Sequence, residues 1–177
     1  MMPGCLVLVV GPSGAGKDTL IRLARAALAD DPRYVFPRRL VTRPPSADED
    51  NDEIDEAAFA DGCAAGRFTL SWRAHGLGYA LPAEAGRRAA DGQVVICNVS
   101  RRIVAEARRT CPRVSVVEVT APPEILAQRI AARGRPQDGD LAARLAREGD
   151  VVADLTILNT GSPGDAASRL VAHLRAC

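Results

Sequence analysis

Residues 5–20 read CLVLVVGPSGAGKDTL, and the fold follows from how this stretch is parsed. Cys5–Val10 is a continuous apolar run of the length and character of a buried strand. Thr19–Ala29 follows with Leu20, Leu23, Ala24, Ala27 and Leu28 on one helical face. Between them lies G-x-x-x-x-G-K, joining strand to helix, which is the setting this motif requires. Its glycines let successive backbone N–H groups face phosphate oxygens, and the helix N-terminus adds a favourable dipole. Gly11, Pro12, Ser13, Gly14, Ala15, Gly16, Lys17, Asp18 and Thr19 are therefore expected to cradle the phosphates of ATP. Lys17, the only lysine in the chain, supplies a point charge between the β- and γ-phosphates.

One position departs from the usual loop. The Ser or Thr that follows the lysine and binds Mg²⁺ is Asp18 here. Asp18 reads as a magnesium contact, because an unscreened carboxylate beside the phosphates would repel them and a metal ion removes the conflict. It also suits a first-turn acid complementing the helix dipole, with Thr19 left for the metal.

Outward from the loop, strand-like runs alternate with helical patterns. Strands are expected at Tyr34–Val41, Val94–Val99, Val114–Thr120 and Leu155–Leu158, and helices at Pro82–Asp91, Arg101–Thr110, Pro122–Arg133, Asp140–Glu148 and Pro163–Arg175. Such alternation implies α/β architecture, a parallel core sheet with helices on both faces. Two stretches break the rhythm. The acidic run Ser46–Glu56 reads as a solvated loop, and Arg67–Leu81 reads as two short strands around a turn at His75–Gly78. Together they suggest an insertion of about residues 34–82 that would form a small acceptor-binding lobe. Gly134–Gly139, between arginine-bearing helices, suggests a lid over about residues 133–144.

Composition narrows the function classes. The chain's 177 residues suit one domain, and a formal net charge of +1 gives no bulk reason to bind nucleic acid or membrane. Five scattered cysteines and two histidines without paired spacing argue against a zinc site. No charged leader precedes the first strand and no apolar run nears the ~20 residues of a membrane span. A cytoplasmic protein is expected.

GPSGAGKDTL, LVTRP, AHGLGYALP, the helix ending ARGR, and ARLAR before DLTILN follow the order of guanylate kinase-like proteins, which the chain resembles over nearly its whole length. Within that group GKD, LSWRAHGLGYALP and VVICNVSR look most like the family of ribose 1,5-bisphosphate phosphokinases. The resemblance implies a P-loop kinase fold with an arginine lid, dependence on ATP and Mg²⁺, and a phosphorylated sugar as substrate. It also implies synthesis of 5-phosphoribosyl 1-diphosphate (PRPP) in phosphonate breakdown. Arg43 matches a phosphate-binding arginine of guanylate kinases, while Ser46 stands where they carry a second. Ser71 beside Trp72, and Asn98, replace acids that read guanine there, and the paired tyrosines are reduced to Gly78 and Tyr79.

The candidate acceptor-binding residues are Arg39, Arg43, Trp72, His75, Tyr79 and Asn98. Arg38 and Arg39 suit either an acceptor-phosphate pocket or a sheet edge, and His75 is read as a turn or substrate-orienting residue rather than a general base. Arg129, Arg133, Arg135, Arg144 and Arg147 surround the expected lid. Of these, Arg133, Arg135 and Arg144 join Lys17 as candidates to stabilise the transferring phosphoryl group. Two rival readings are a guanylate or other nucleoside monophosphate kinase, and a non-catalytic guanylate-kinase-like module that binds protein ligands.

Overall fold

The computed structural model describes residues 4–44, 50–134 and 151–177. Strand β1 (Cys5–Val10) is buried at every position. Val7 and Val9 pack into a core that includes Leu20, Ile21, Leu170 and Leu174, while Leu6, Leu8 and Val10 face a second core that includes Trp72, Tyr79, Val99 and Ile103. A strand apolar on both faces belongs at the centre of a covered parallel sheet. Each such side chain contributes about 1.5–3 kcal/mol when fully buried. β1 lies between β7 (Val94–Asn98) and β8 (Val114–Thr120), with β2 (Tyr34–Val35) and β9 (Leu155–Leu158) at the edges, giving the parallel order β2-β7-β1-β8-β9. Among the described residues the α-helices are α1 (Lys17–Ala27), α2 (Glu56–Ala64), α3 (Ala83–Ala90), α4 (Val104–Thr110), α5 (Pro123–Arg133) and α6 (Pro163–Ala176). The loop that follows β1 lies at the carboxyl ends of the strands, the end at which open α/β sheets bind ligands.

A second sheet of order β4-β3-β6-β5 rests on the Leu6–Leu8–Val10 face, formed by β3 (Arg39–Val41), β4 (Asn51–Glu53), β5 (Phe68–Ala74) and β6 (Leu77–Pro82). The expected single strand over Tyr34–Val41 is corrected here. Tyr34–Val35 pairs with β7 in the main sheet, and Arg39–Val41 pairs with β4 and β6 in the second. Pro37 separates the two, lacking the N–H a continuous ladder would need.

The acidic run is corrected as well. Its residues 50–56 are not a solvated loop. Asn51–Glu53 forms β4, paired in parallel with β3. Asp50 pairs with Arg25 at 2.6 Å and with Arg38 at 3.2 Å, Asp52 meets Arg38 at 3.0 Å, and Asp55 caps α2 by accepting from Ala58 N at 2.7 Å. Helix α2 itself is alanine-rich with only Phe59 and Gly62 buried, so no apolar stripe announced it. The expected β5–β6 hairpin is present, with a tighter turn than His75–Gly78 because Leu77 and Gly78 already pair with β5. His75 (φ 54°) and Gly76 (φ 75°) form its two-residue turn, both with the positive φ that suits a twisted hairpin. Among the described residues, no helix is long and apolar enough to cross a membrane. The expected helix Asp140–Glu148 lies outside the described residues.

Candidate functional site

The loop leaving β1 is shaped by its glycines. Gly11 has φ 145°, and a Cβ there would stand 1.9 Å from the carbonyl oxygen of Val119 in β8. Gly16 has φ 92° and begins α1 with no side-chain cap, so the first-turn N–H groups of α1 are not claimed by a capping oxygen. A Cβ at Gly16 would lie 2.5 Å from Asn159 Nδ2. That amide donates to Ala15 O at 2.8 Å, and Arg129 donates to Gly14 O at 3.2 Å, Ala15 O at 3.5 Å and Asn159 O at 2.7 Å. Arg129 thus holds the outer wall of the loop and is not available as a lid residue. The sequence reading missed Asn159, whose signal was a lone asparagine closing the apolar strand β9.

Lys17, half-buried at the start of α1, folds back to donate to Gly11 O at 2.7 Å and Pro12 O at 3.1 Å. Its pKa is lowered to about 8, chiefly by burial and further by Arg39, Arg101 and Arg133, with Asp18 opposing. Three arginines and one carboxylate thus act electrostatically on Lys17.

A chain of contacts runs from the loop into the second sheet. Asn98 Nδ2 donates to Asp18 Oδ1 at 2.6 Å, and Arg39 Nη1 donates to Asn98 O at 3.2 Å. Arg39 Nε donates at 3.1 Å to Oδ1 of Asn51, a buried side chain on β4. The Arg39 guanidinium lies 5.4 Å from the centre of the Tyr79 ring, and Tyr79 stacks on Trp72 at 5.6 Å with only 5° between ring planes. The register explains the cluster: Tyr79 is opposite both Val41 and Trp72, and Arg39 is two residues from Val41 on the same face. The structure therefore brings together Lys17, Asp18, Asn98, Arg39, Tyr79 and Trp72.

Other candidates fall differently. Arg43 is half-buried just beyond β3, and His75 is exposed at the hairpin tip, where its backbone serves the turn. Arg38 is an exposed partner of Asp50 and Asp52, which is the sheet-edge alternative. Arg133 closes α5 near enough to act electrostatically on Lys17. Arg135, Arg144 and Arg147, with most of the expected lid, lie outside the described residues.

No family model matches the chain. Individual proteins do. The ribose 1,5-bisphosphate phosphokinase PhnN of Methylobacterium radiotolerans is 85% identical over 176 residues, covering 99% of this chain and 100% of that protein. The chain belongs to the ribose 1,5-bisphosphate phosphokinase family. The family member from Bradyrhizobium diazoefficiens is 51% identical over 98% of this chain and 89% of its own. Among solved structures, guanylate kinase from Anaplasma phagocytophilum superposes with a TM-score of 0.70 at 18% identity, over 99% of this chain and 87% of that one. That likeness extends to the fold: the P-loop kinase architecture expected from the sequence is the one observed.

In this member of the ribose 1,5-bisphosphate phosphokinase family, two of the positions that depart from the guanylate kinase pattern, Ser71 and Asn98, are engaged internally. Ser71 Oγ lies 3.5 Å from Cys63 Sγ, and Asn98 is the donor to Asp18. An aspartate at position 98 would set two carboxylates where one amide–carboxylate bond now stands, and one of them would be driven to keep its proton. Asn98 and Asp18 are thus a matched pair. Among the described residues, no group of three or more His, Cys, Asp and Glu side chains could hold a metal by itself.

Proposed function

We propose that this chain transfers the γ-phosphoryl group of ATP to the 1-phosphate of ribose 1,5-bisphosphate, giving ADP and PRPP. The observation that carries the reading is the cationic rim of Lys17 and Arg39 around a preformed phosphate loop, with an amide and a hydroxyl at Asn98 and Ser71. An acceptor made of sugar and two phosphates needs positive charge and no carboxylate partner for a base. Asn98 and Ser71 present none.

ATP fits the loop on three counts: the glycine geometry at Gly11 and Gly16, the uncapped start of α1, and Lys17 poised on the Gly11 and Pro12 carbonyls. On binding, Lys17 exchanges those two carbonyls for phosphate oxygens, which need its charge more. Arg43 and Tyr79 are assigned to the acceptor, Asn51 fixes the Arg39 fork, and Arg133 with the lid arginines Arg135 and Arg144 approaches the transferring group. No general base is required. The second pKa of a phosphate monoester is about 6, so the attacking oxygen is already deprotonated at neutral pH. Closure that excludes water would favour the sugar phosphate over hydrolysis.

Mg²⁺ also fits. It commonly takes one or two carboxylates with phosphate oxygens and water, and Asp18 is an exposed first-turn carboxylate beside the loop. When bound, the ion neutralises charge on the β- and γ-phosphates. Asp18→Asn keeps the size of the side chain and removes its charge. Turnover should fall and partly recover as Mg²⁺ is raised, with a higher Mg²⁺ concentration for half-maximal rate; an unchanged Mg²⁺ dependence would leave Asp18 as a helix-start acid only.

The lowered Lys17 pKa predicts a pH dependence. Phosphate oxygens favour the charged ammonium, so its pKa rises above about 8 on ATP binding. Binding then takes up a proton above about pH 8, and affinity weakens as pH rises through that value. Calorimetry at pH 8.5 in two buffers of different ionisation enthalpy should show the uptake, and the same pair at pH 7 should not. Equal heats at pH 8.5 would contradict the placement of Lys17. The reaction itself is tested by ³¹P NMR of a mixture of protein, ATP, Mg²⁺ and ribose 1,5-bisphosphate. A new diphosphate doublet pair belonging to PRPP is expected; ADP with inorganic phosphate alone would reduce the chain to an ATPase.

A further inference from the structure

The end of the main sheet opposite the phosphate loop gathers a second set of reactive side chains. Cys5 opens β1 and is 1% exposed. Val10, which leads into the loop, lies at the other end of the strand, about 17 Å away at ~3.3 Å per residue. Cys5 shares with Val7 and Val9 the face on which α1 and α6 pack. On β8, Ser115 is opposite Val7 and has the parity of Val117 and Val119, so it projects to that same face. Helix α6 runs back over it: Leu170 and Leu174 are buried there, and Cys177, which caps the helix, packs against the cluster that contains Cys5. One turn earlier, His173 Nε2 lies 2.8 Å from Ser115 Oγ. Arg113, just before β8, donates through Nη1 to Cys177 O at 3.0 Å, while its own carbonyl accepts from Leu6 N at 3.0 Å. Those bonds hold the end of α6 against the start of β1.

The two thiols meet at this point. Both are free, and a hydrogen bond joins the side chain of Cys5 to that of Cys177. Cys5 is enclosed and Cys177 only half-buried, so Cys177 is the one open to a small solute. The bond from Cys5 lowers the Cys177 thiol to about 7, and Arg113 and Ser115 lower it too, with burial and Asp154 opposing. Cys5 is raised, first by the same bond and then by burial. Reactive cysteines sit in partly exposed, electropositive surroundings, whereas enclosed ones are inert, and Cys177 has the first setting. Other cysteines differ. Cys97 is enclosed and pushed up to about 12, chiefly by burial, and Cys63 is exposed on α2 with the Ser71 hydroxyl at 3.5 Å.

We propose that Cys5 and Cys177 form a peroxide-sensitive modification site, in which Cys177 is oxidised first and Cys5 then closes a disulfide that ties α6 to β1. The Cys177 thiolate attacks one oxygen of hydrogen peroxide and the O–O bond breaks. Cys177 becomes a sulfenic acid, and the hydroxide released takes up the proton that the thiol gave up on ionising. The Cys5 sulfur then attacks the Cys177 sulfur. The S–S bond forms, the S–O bond breaks, and the Cys5 proton leaves with the hydroxyl as water. Two thiols are oxidised and one peroxide is reduced to two waters. Neither thiol touches the phosphate loop, so this site is independent of the function proposed above. The cross-link would close nearly the whole chain into one loop, the arrangement that restricts the unfolded chain most.

The competing account is a packing contact between two inert core thiols. Reduced full-length protein is treated with a small excess of hydrogen peroxide, blocked with N-ethylmaleimide in denaturant and mapped by peptide mass spectrometry, alongside Cys177→Ser and Cys5→Ala. Wild type should yield a peptide that links residues 5 and 177 and that dithiothreitol separates. Its melting temperature should rise by roughly 5 °C or more on oxidation and return on reduction. Cys177→Ser should keep Cys5 open to alkylation after the same treatment. Cys5→Ala, which keeps a small apolar side chain at the buried position, should leave the Cys177 sulfenic acid to be captured by dimedone. If wild-type Cys5 and Cys177 both remain open to alkylation while exposed Cys63 is modified, the assignment is overturned. It is overturned equally if Cys177 links to a second copy of the chain instead of to Cys5. Both of these readings come from the wild type and stand whether or not either variant folds.

Discussion

Lys17→Ala is expected to remove turnover, lowering kcat/KM by roughly 10²–10³ or more, the scale seen when a single group aimed at developing charge is deleted. The fold should survive. Lys17 bonds only to carbonyls of its own loop, Gly11 O and Pro12 O, and burial already disfavours its charge, as the pKa lowered to about 8 records. Deleting the ammonium therefore removes little that stabilises the free protein, and the melting temperature should stay level or rise slightly. The combination is diagnostic, because a general structural defect would lower both quantities. A variant with near-normal turnover would mean that phosphoryl transfer occurs elsewhere than at residues 11–19.

Gly11→Ala should have the opposite profile, a large loss of stability with loss of ATP binding as its consequence. The new Cβ would stand 1.9 Å from Val119 O, a backbone atom of β8 that cannot swing aside, and φ 145° is a region that L side chains rarely adopt. Relief requires β1 and β8 to separate next to the Val10–Glu118 pairing, at the middle of the main sheet. A cost of about 3 kcal/mol or more is expected, in the range of strained or overpacked core substitutions. Gly161→Ala is the control, since a Cβ there meets nothing within 4 Å; it should lie within about 0.5 kcal/mol of wild type. Urea denaturation of the three proteins provides the comparison. A Gly11→Ala midpoint equal to that of the control would contradict the close approach of loop and strand.

Local chemistry made much of this molecule legible in its sequence. The apolar run Cys5–Val10 could satisfy both faces only inside a covered sheet, and it, Val114–Thr120 and Leu155–Leu158 each became a strand with those bounds. The loop from Gly11 to Gly16 declared itself because glycine geometry is a local property. What the sequence reading missed depends on partners distant in the chain. Asn51 and Asp52 look solvated until Arg39 and Arg38, more than ten residues earlier, are placed beside them. Asn159 looks like a strand terminus until the loop 144 residues earlier arrives at its amide. In sequence Arg129 is one of several arginines near the expected lid, and only the fold turns it towards the Gly14 and Ala15 carbonyls. Cys5 and Cys177 look scattered for the same reason: their meeting depends on α6 returning to the start of β1.

The central claim is that this phosphate loop serves a sugar bisphosphate and not a guanine nucleotide. ADP formation measured side by side with ribose 1,5-bisphosphate and with GMP, at equal protein, ATP and Mg²⁺, tests it most directly. Polar groups left without partners cost about 1–3 kcal/mol each, and Ser71 and Asn98 present no carboxylate to the guanine edge, so kcat/KM for the bisphosphate should exceed that for GMP by about a hundredfold or more. Comparable kcat/KM for the two acceptors, or ADP formation with GMP alone, would contradict it.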